Sequence, residues 1–193
     1  MPSATPTTTS TLLKTRRFFR DLAAATASRL RGAAVGSLAA AAVTVSAAPL
    51  ACSLTGPARV PVGQPVTLQF TLSNTGTQAL HVLVWGTPLE SGWFTPYVAV
   101  RFGSQPLAYG GPSVKRGDPQ LTDYVHLAPG QSRQADVQVS LVFDLRKPGR
   151  YHVQPQIQLH DVVVAQQGTV PRPRSEHLGQ ALACPALKFI IRP

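Results

Sequence analysis

Residues 66–73 read VTLQFTLS, with Val66, Leu68, Phe70 and Leu72 alternating with Thr67, Gln69, Thr71 and Ser73. A side-chain period of two puts one face of an extended chain on a core and the other in water, so this stretch is a half-buried β-strand. Asn74-Thr75-Gly76 closes it with turn chemistry. Working outward, Leu80 to Trp85 (LHVLVW) is continuously apolar and reads as a central strand ending at Gly86-Thr87-Pro88. Tyr97 to Phe102 (YVAVRF) resumes the alternation. The spacing predicts another strand over Ala135 to Val142, through Val137, Val139 and Leu141, and a final one over Ala181 to Ile191.

Between them, Phe143 to Leu159 (FDLRKPGRYHVQPQIQL) gives a short crossing segment, a Pro148-Gly149 turn and a strand starting at Tyr151, with Pro155 at a bulge or edge. A Tyr directly after such a crossing is placed as in the tyrosine corner of immunoglobulin-like sandwiches. Tyr151 and Trp85 are therefore read as structural. Residues 165–180 form a polar loop. Seven or eight short strands without helical periodicity predict an all-β, immunoglobulin-like antiparallel sandwich over residues 49–193.

The most irregular stretch is residues 107–130, LAYGGPSVKRGDPQLTDYVHLAPG, too rich in Gly, Pro and Asp for a helix. Its apolar residues Val114, Tyr124, Val125 and Leu127 dock its two ends on the core, and its 124–127 end is a further strand candidate. The segment Val114, Lys115, Arg116, Gly117 and Asp118 is the candidate partner-contact surface, because a loop stiffened by Gly and Pro loses little entropy on docking. The competing reading of Lys115-Arg116 is a solvated turn.

Residues 1–48 read as an export signal. A Ser/Thr/Pro-rich start leads through Lys14, Arg16, Arg17 and Arg20 to the weakly apolar Gly32–Ala48, with Val45 and Ala47 fitting small-residue cleavage. The stretch is too Ala-rich for a membrane span. Thr15-Arg16-Arg17-Phe18-Phe19 resembles a twin-arginine signal, an alternative to ordinary secretion. The expected destination is the periplasm or the medium of a bacterium.

Of the formal charge of +10, residues 1–48 contribute six Lys/Arg against Asp21, and the remainder 12 Lys/Arg against seven Asp/Glu, so each part carries +5. In the second part Lys115-Arg116, Arg146-Lys147, Arg150, Arg172 and Arg174 fall in loop-like sequence and read as solvated charge. No basic face interleaved with stacking aromatics is visible, so nucleic acid is not an expected partner. Weak attraction to anionic headgroups or an acidic partner stays open.

Cys52 and Cys184 sit in the first and last expected strands. In an exported chain the favoured reading is a disulfide tying the ends of the sandwich. The alternatives are free thiols, or lipidation of Cys52 after Pro49-Leu50-Ala51, which lacks the Leu of a lipobox; membrane attachment is expected only in that case.

His81, His126, His152, His160 and His177 are dispersed, with no HxH, HExxH or zinc-finger spacing. Asp118 and Asp123 flank a loop without the spaced carboxylates of a calcium site. Gly111-Pro112-Ser113-Val114-Lys115 lacks the second Gly of a nucleophile elbow, and most acids read as turn or edge residues rather than a hydrolytic pair. The expectation is a non-enzyme without metal or cofactor.

Four motifs in order carry a family resemblance: WGTPLE (85–90), YGGPSVKR (109–116), DYVHLAPGQS (123–132) and DLRKPGRY (144–151). From about Leu54 to Val164 they resemble the N-terminal β-sandwich region of bacterial deuterolysin-like (aspzincin, peptidyl-Lys-type) metalloendopeptidases. In that family the region is regarded as a propeptide that aids folding and masks the active site, while HExxH and a downstream Asp lie in the catalytic half. This chain has neither, its Glu176-His177 being in the wrong order. The resemblance implies a non-catalytic sandwich with a metalloendopeptidase as possible partner, acting as inhibitor or folding helper. The other functional readings are an envelope-associated structural module, anchored if Cys52 is lipidated, and a residual or truncated protease.

Overall fold

A computed structural model describes residues 49–193. The expected export signal over residues 1–48 lies outside the described residues. Strands β1 (Leu50–Thr55), β3 (Thr67–Asn74) and β8 (Ser132–Gln138) form one antiparallel sheet in the order β1-β3-β8. A five-stranded sheet has the order β2-β13-β9-β5-β6, built from β2 (Arg59–Pro61), β5 (Val98–Phe102), β6 (Gln105–Pro106), β9 (Gly149–Pro155) and β13 (Leu187–Arg192). Smaller sheets are β11-β4-β7, from β4 (Leu80–Leu83), β7 (Tyr124–Leu127) and β11 (Val162–Val164), and the pair β10 (Ile157–Leu159) with β12 (Gln180–Leu182).

Alternation becomes packing in β3, where Leu68, Phe70 and Leu72 are buried while Thr67 and Gln69 are exposed. These residues share one buried cluster with Val98, Val100, Tyr151, Val153, Phe189 and Ile191 of the five-stranded sheet. The two sheets thus cover a common apolar core as the layers of a β-sandwich. Fully burying each such side chain stabilises the fold by roughly 1.5–3 kcal/mol.

Tyr151 lies at its centre, its ring stacked on Phe189 with centroids 5.3 Å apart, and its hydroxyl donates to the Lys147 carbonyl at 2.7 Å. That bond ties the 143–148 crossing to the sheet, as a tyrosine corner does. Gly149, next to it, has φ of +148°, and a Cβ there would stand 2.5 Å from the Phe102 ring, so only glycine fits the turn. Cys52 on β1 is bonded to Cys184 with a Cα–Cα distance of 5.2 Å. The bond occupies the sulfur that a lipid anchor would need.

Several elements differ from the sequence expectation. Thirteen short strands replace seven or eight among the described residues. The strand expected over 135–142 ends at Gln138, because Val139–Leu141 forms a 3-10 turn. There Val139 N–H donates to the Val66 carbonyl, the Ser140 hydroxyl accepts from Val66 N–H, and Leu141 is left in water. The strand expected over 181–191 is two, broken around Pro185, which has no N–H to donate; Cys184 lies in this break rather than in a strand. Central strand β4 stops at Leu83, since the Val84 carbonyl takes both the N–H and the hydroxyl of Thr87 in a turn holding Trp85. Pro155 is at the end of β9, opposite Val98, where the chain leaves this sheet for β10. Finally, β2 runs parallel to β13, an exception to the antiparallel rule.

Candidate functional site

The 107–118 loop is fixed by its own chain. Gly110 N–H donates to the Val142 carbonyl at 2.8 Å and Val114 N–H to the Phe94 carbonyl at 3.0 Å. The guanidinium of Arg116 then enters an aromatic cage, 5.1 Å from the Trp85 ring centroid and 4.8 Å from that of Phe94, and pairs with the carboxylate of Glu90. Glu90, whose side chain is 8% exposed, also accepts the Gly86 N–H at 3.2 Å. A guanidinium that is weakly hydrated, planar and permanently charged suits such a cage better than an ammonium would. Lys115 and Arg116 are therefore not equivalent members of a solvated turn: Lys115 points to solvent, whereas Arg116 is a structural rivet.

A second loop meets the first. The Arg174 guanidinium donates to the Arg116 carbonyl at 2.6 Å, and the Arg174 N–H donates to the Asp118 carboxylate at 3.0 Å. This loop is held from below by Asp161, which is fully buried and accepts from the Arg172 guanidinium twice, from the Tyr124 hydroxyl at 2.9 Å and from Leu178 N–H at 3.0 Å. Burial alone would push the Asp161 carboxyl up, but the bonds from Arg172, Leu178 and Tyr124 together hold it below the usual carboxylate range. Tyr124 is pushed up to about 12, first by burial and then by its bond to Asp161, so it stays a donor.

Between the two loops lies a cleft of about 670 Å³, lined among others by Trp85, Phe94, Val114, Lys115, Arg174 and His177. With Arg116 paired to Glu90, Lys115 and Arg174 are the unbalanced charges of the lining, so it is cationic. The buried indole N–H of Trp85 has no acceptor among the described residues. His160, also in the lining, is held below the usual imidazole value by desolvation, by His177 and by Arg174. Such a cleft suits an acidic or carboxylate-bearing peptide group, with a polarity set by donors rather than acceptors.

Of the five candidate contact residues, Val114 and Lys115 are exposed in the lining of this cleft and Arg116 is half-buried in it, while Gly117 and Asp118 are exposed outside the lining. What sequence reasoning missed is the other wall: Trp85, Glu90 and Phe94 on one side, Arg174 and His177 on the other. Glu90 and Asp161 also depart from the view of the acids as turn and edge residues. A short signal existed for Glu90, in the WGTPLE motif, and for its partner Arg116, in YGGPSVKR, but none for Asp161. His81 and His126 are brought into one cross-strand pair, ring centroids 5.2 Å apart. Among the described residues no group of three or more His, Cys, Asp or Glu is placed to hold a metal.

We expect Arg116→Ala to destabilise the domain by about 2 kcal/mol, since it strands the Glu90 carboxylate and empties the cage. Arg116→Lys restores the charge without the stacking, so it recovers only part of the loss. Denaturant unfolding of both variants checks this, and a loss within 0.5 kcal/mol for the Ala variant contradicts the cage as a stabilising contact.

No family model matches the chain. A segment of 118 residues, 61% of this chain, is 29% identical to an extracellular protease of Aeromonas hydrophila. The chain covers 32% of that relative, about a third of its length. Among solved structures, the chain is 18% identical to a part of the Escherichia coli alpha-2-macroglobulin running from domain MG7 to the C-terminus, with a TM-score of 0.40, covering 76% of this chain and 17% of that one. The CARDB domain of a Pyrococcus furiosus protein is 12% identical, with a TM-score of 0.28, covering 71% of this chain and 88% of that one.

Proposed function

We propose that this is an exported, non-catalytic protein-binding domain, with residues 1–48 as its export signal, which contacts a secreted metalloendopeptidase of the deuterolysin-like kind as inhibitor or folding helper. The observation that carries this reading is the pre-ordered contact loop. Residues 114–118 are pinned by the Arg116 cage and by Arg174, while Val114 and Lys115 stay exposed at the mouth of a donor-rich cleft. Little conformational entropy is left to lose when such a loop docks. The disulfide supports an oxidising compartment. The similarity to a third of an extracellular protease, and the motif resemblance to a propeptide sandwich, support a protease as partner.

The test is to titrate zinc endopeptidases secreted by the same organism with the purified protein. A complex at micromolar concentration is expected, together with loss of peptidase activity or improved recovery of active enzyme on refolding. Lys115→Glu, which touches nothing structural, is expected to weaken the complex at least tenfold by turning the rim towards negative. The absence of any complex, or a complex indifferent to Lys115→Glu, overturns this reading.

A further inference from the structure

The strand register gathers charges that look scattered along the chain. On the five-stranded sheet, Arg101 of β5 lies opposite His152 of β9, which lies opposite Lys188 of β13, making one cross-strand row. The next row places Arg150 and Arg59 on either side of Ile190, and Arg192 follows two residues on. The neighbours on the same strands, Val60, Val100, Tyr151, Val153, Phe189 and Ile191, are buried, so the charged set faces outward. All five Arg and Lys are exposed, and none of the strands β2, β5, β6, β9 or β13 contains an Asp or Glu. No two of these cations are direct ladder partners: Arg101 and Lys188 flank His152, and Arg150 and Arg59 flank Ile190. Two strand spacings put each such pair roughly 10 Å apart and diagonal neighbours such as Arg150 and Lys188 about 7–8 Å apart, so the face is a spread of positive charge with no anion on its strands to balance it. Among the described residues, Arg101 alone of these side chains is engaged, by the Ser104 carbonyl.

We propose that this outer face is a docking surface for an anionic lipid bilayer. The face carries no exposed aromatic ring, so it has neither the stacking platform of a single-strand nucleic-acid site nor the aromatic anchor of a protein hot spot. Long basic side chains spread over several rows, with only the small Ala99 and Pro61 and a half-buried Ile190 as apolar members of the face, match a laterally extended negative surface bound chiefly by electrostatics. A depression of about 420 Å³, lined by Tyr151, Phe189 and Ile190 as well as Arg150, His152 and Lys188, offers the last three side chains to a headgroup phosphate. This surface is separate from the cleft at residues 114–118 and does not rest on the protease reading.

The experiment uses the disulfide-bonded protein recovered from an exporting host and sedimented with phosphatidylcholine vesicles with or without phosphatidylglycerol. Binding is expected only with phosphatidylglycerol and is expected to disappear as salt rises towards ~0.5 M. Arg150→Gln with Lys188→Gln removes two charges from the face, and Arg133→Glu changes net charge by the same amount on β8 of the other sheet. The first variant is expected to lower vesicle partitioning roughly 20-fold and the second less than ~3-fold. Equal losses from the two, no binding to phosphatidylglycerol vesicles, or tighter binding to heparin or duplex DNA with none to vesicles overturns the proposal.

Discussion

Replacing Cys52 and Cys184 together with Ala is expected to lower the unfolding free energy by about 5 kcal/mol. The bond spans 132 residues, nearly the whole described domain, so in the chain-entropy account its loss releases an almost unrestricted unfolded ensemble. Domains of this size have ~5–15 kcal/mol in total, so the variant sits near the threshold of folding and its melting temperature falls by roughly 10–20 °C. Ala is the right replacement because Cys184 is 6% exposed, and a Ser hydroxyl there would add the cost of a buried polar group. Thermal and denaturant melts of the variant, and of the unmodified protein with and without reductant, measure the effect. A loss below about 1 kcal/mol means that the bond constrains little.

The sandwich was legible because its strands alternate. In β3 every second residue from Leu68 to Leu72 is buried, and burial of one face is what the period of two encodes. The errors occur where the same alternation continues past the end of pairing. Val137, Val139 and Leu141 look equivalent in sequence, yet Ser140 and Val139 bond back to Val66 and turn Leu141 out to water. Periodicity reports which side chains are apolar, not where the backbone hydrogen bonds stop. The break before β13 had a visible cause in Pro185, but a proline in an apolar run equally marks an edge or a bulge.

The site was half legible for a related reason. The 107–118 loop stands out by composition, so its location was readable. Its rigidity was not, because Arg116 depends on Glu90, 26 residues away, and on Arg174, 58 residues away. Nothing local separates a guanidinium that is caged from one that is solvated. The same holds for the basic sheet face: Arg59, Arg101 and Lys188 are isolated in sequence, Arg150 reads as loop charge beside Arg146-Lys147 but lies on β9, and the four become neighbours only through register. Charge patterning read along a chain misses clusters that strands assemble across it.

Asp161→Asn is expected to cost about 3–5 kcal/mol at neutral pH. The carboxylate is fully buried and serves three partners from distant parts of the chain: Arg172, Tyr124 and the Leu178 N–H. An amide keeps the shape but cannot accept from all of them, and it leaves the guanidinium of Arg172, whose side chain is 18% exposed, without a counter-charge. The loop carrying Arg172 and Arg174 is thereby loosened from the sheet, so the far wall of the cleft should also lose order, visible as faster amide exchange over residues 172–178. The pH dependence separates the ion pair from generic damage. Because the folded carboxyl is held below its unfolded value of about 3.9, its contribution is full above that value and is lost as pH falls through the folded value. The stability gap between the two proteins should therefore be constant from neutral pH to about 5 and close progressively below 4. A gap that stays open in acid assigns the loss to packing rather than to the charge, whereas its closure identifies the buried Asp161 carboxylate as what holds the cleft wall in place.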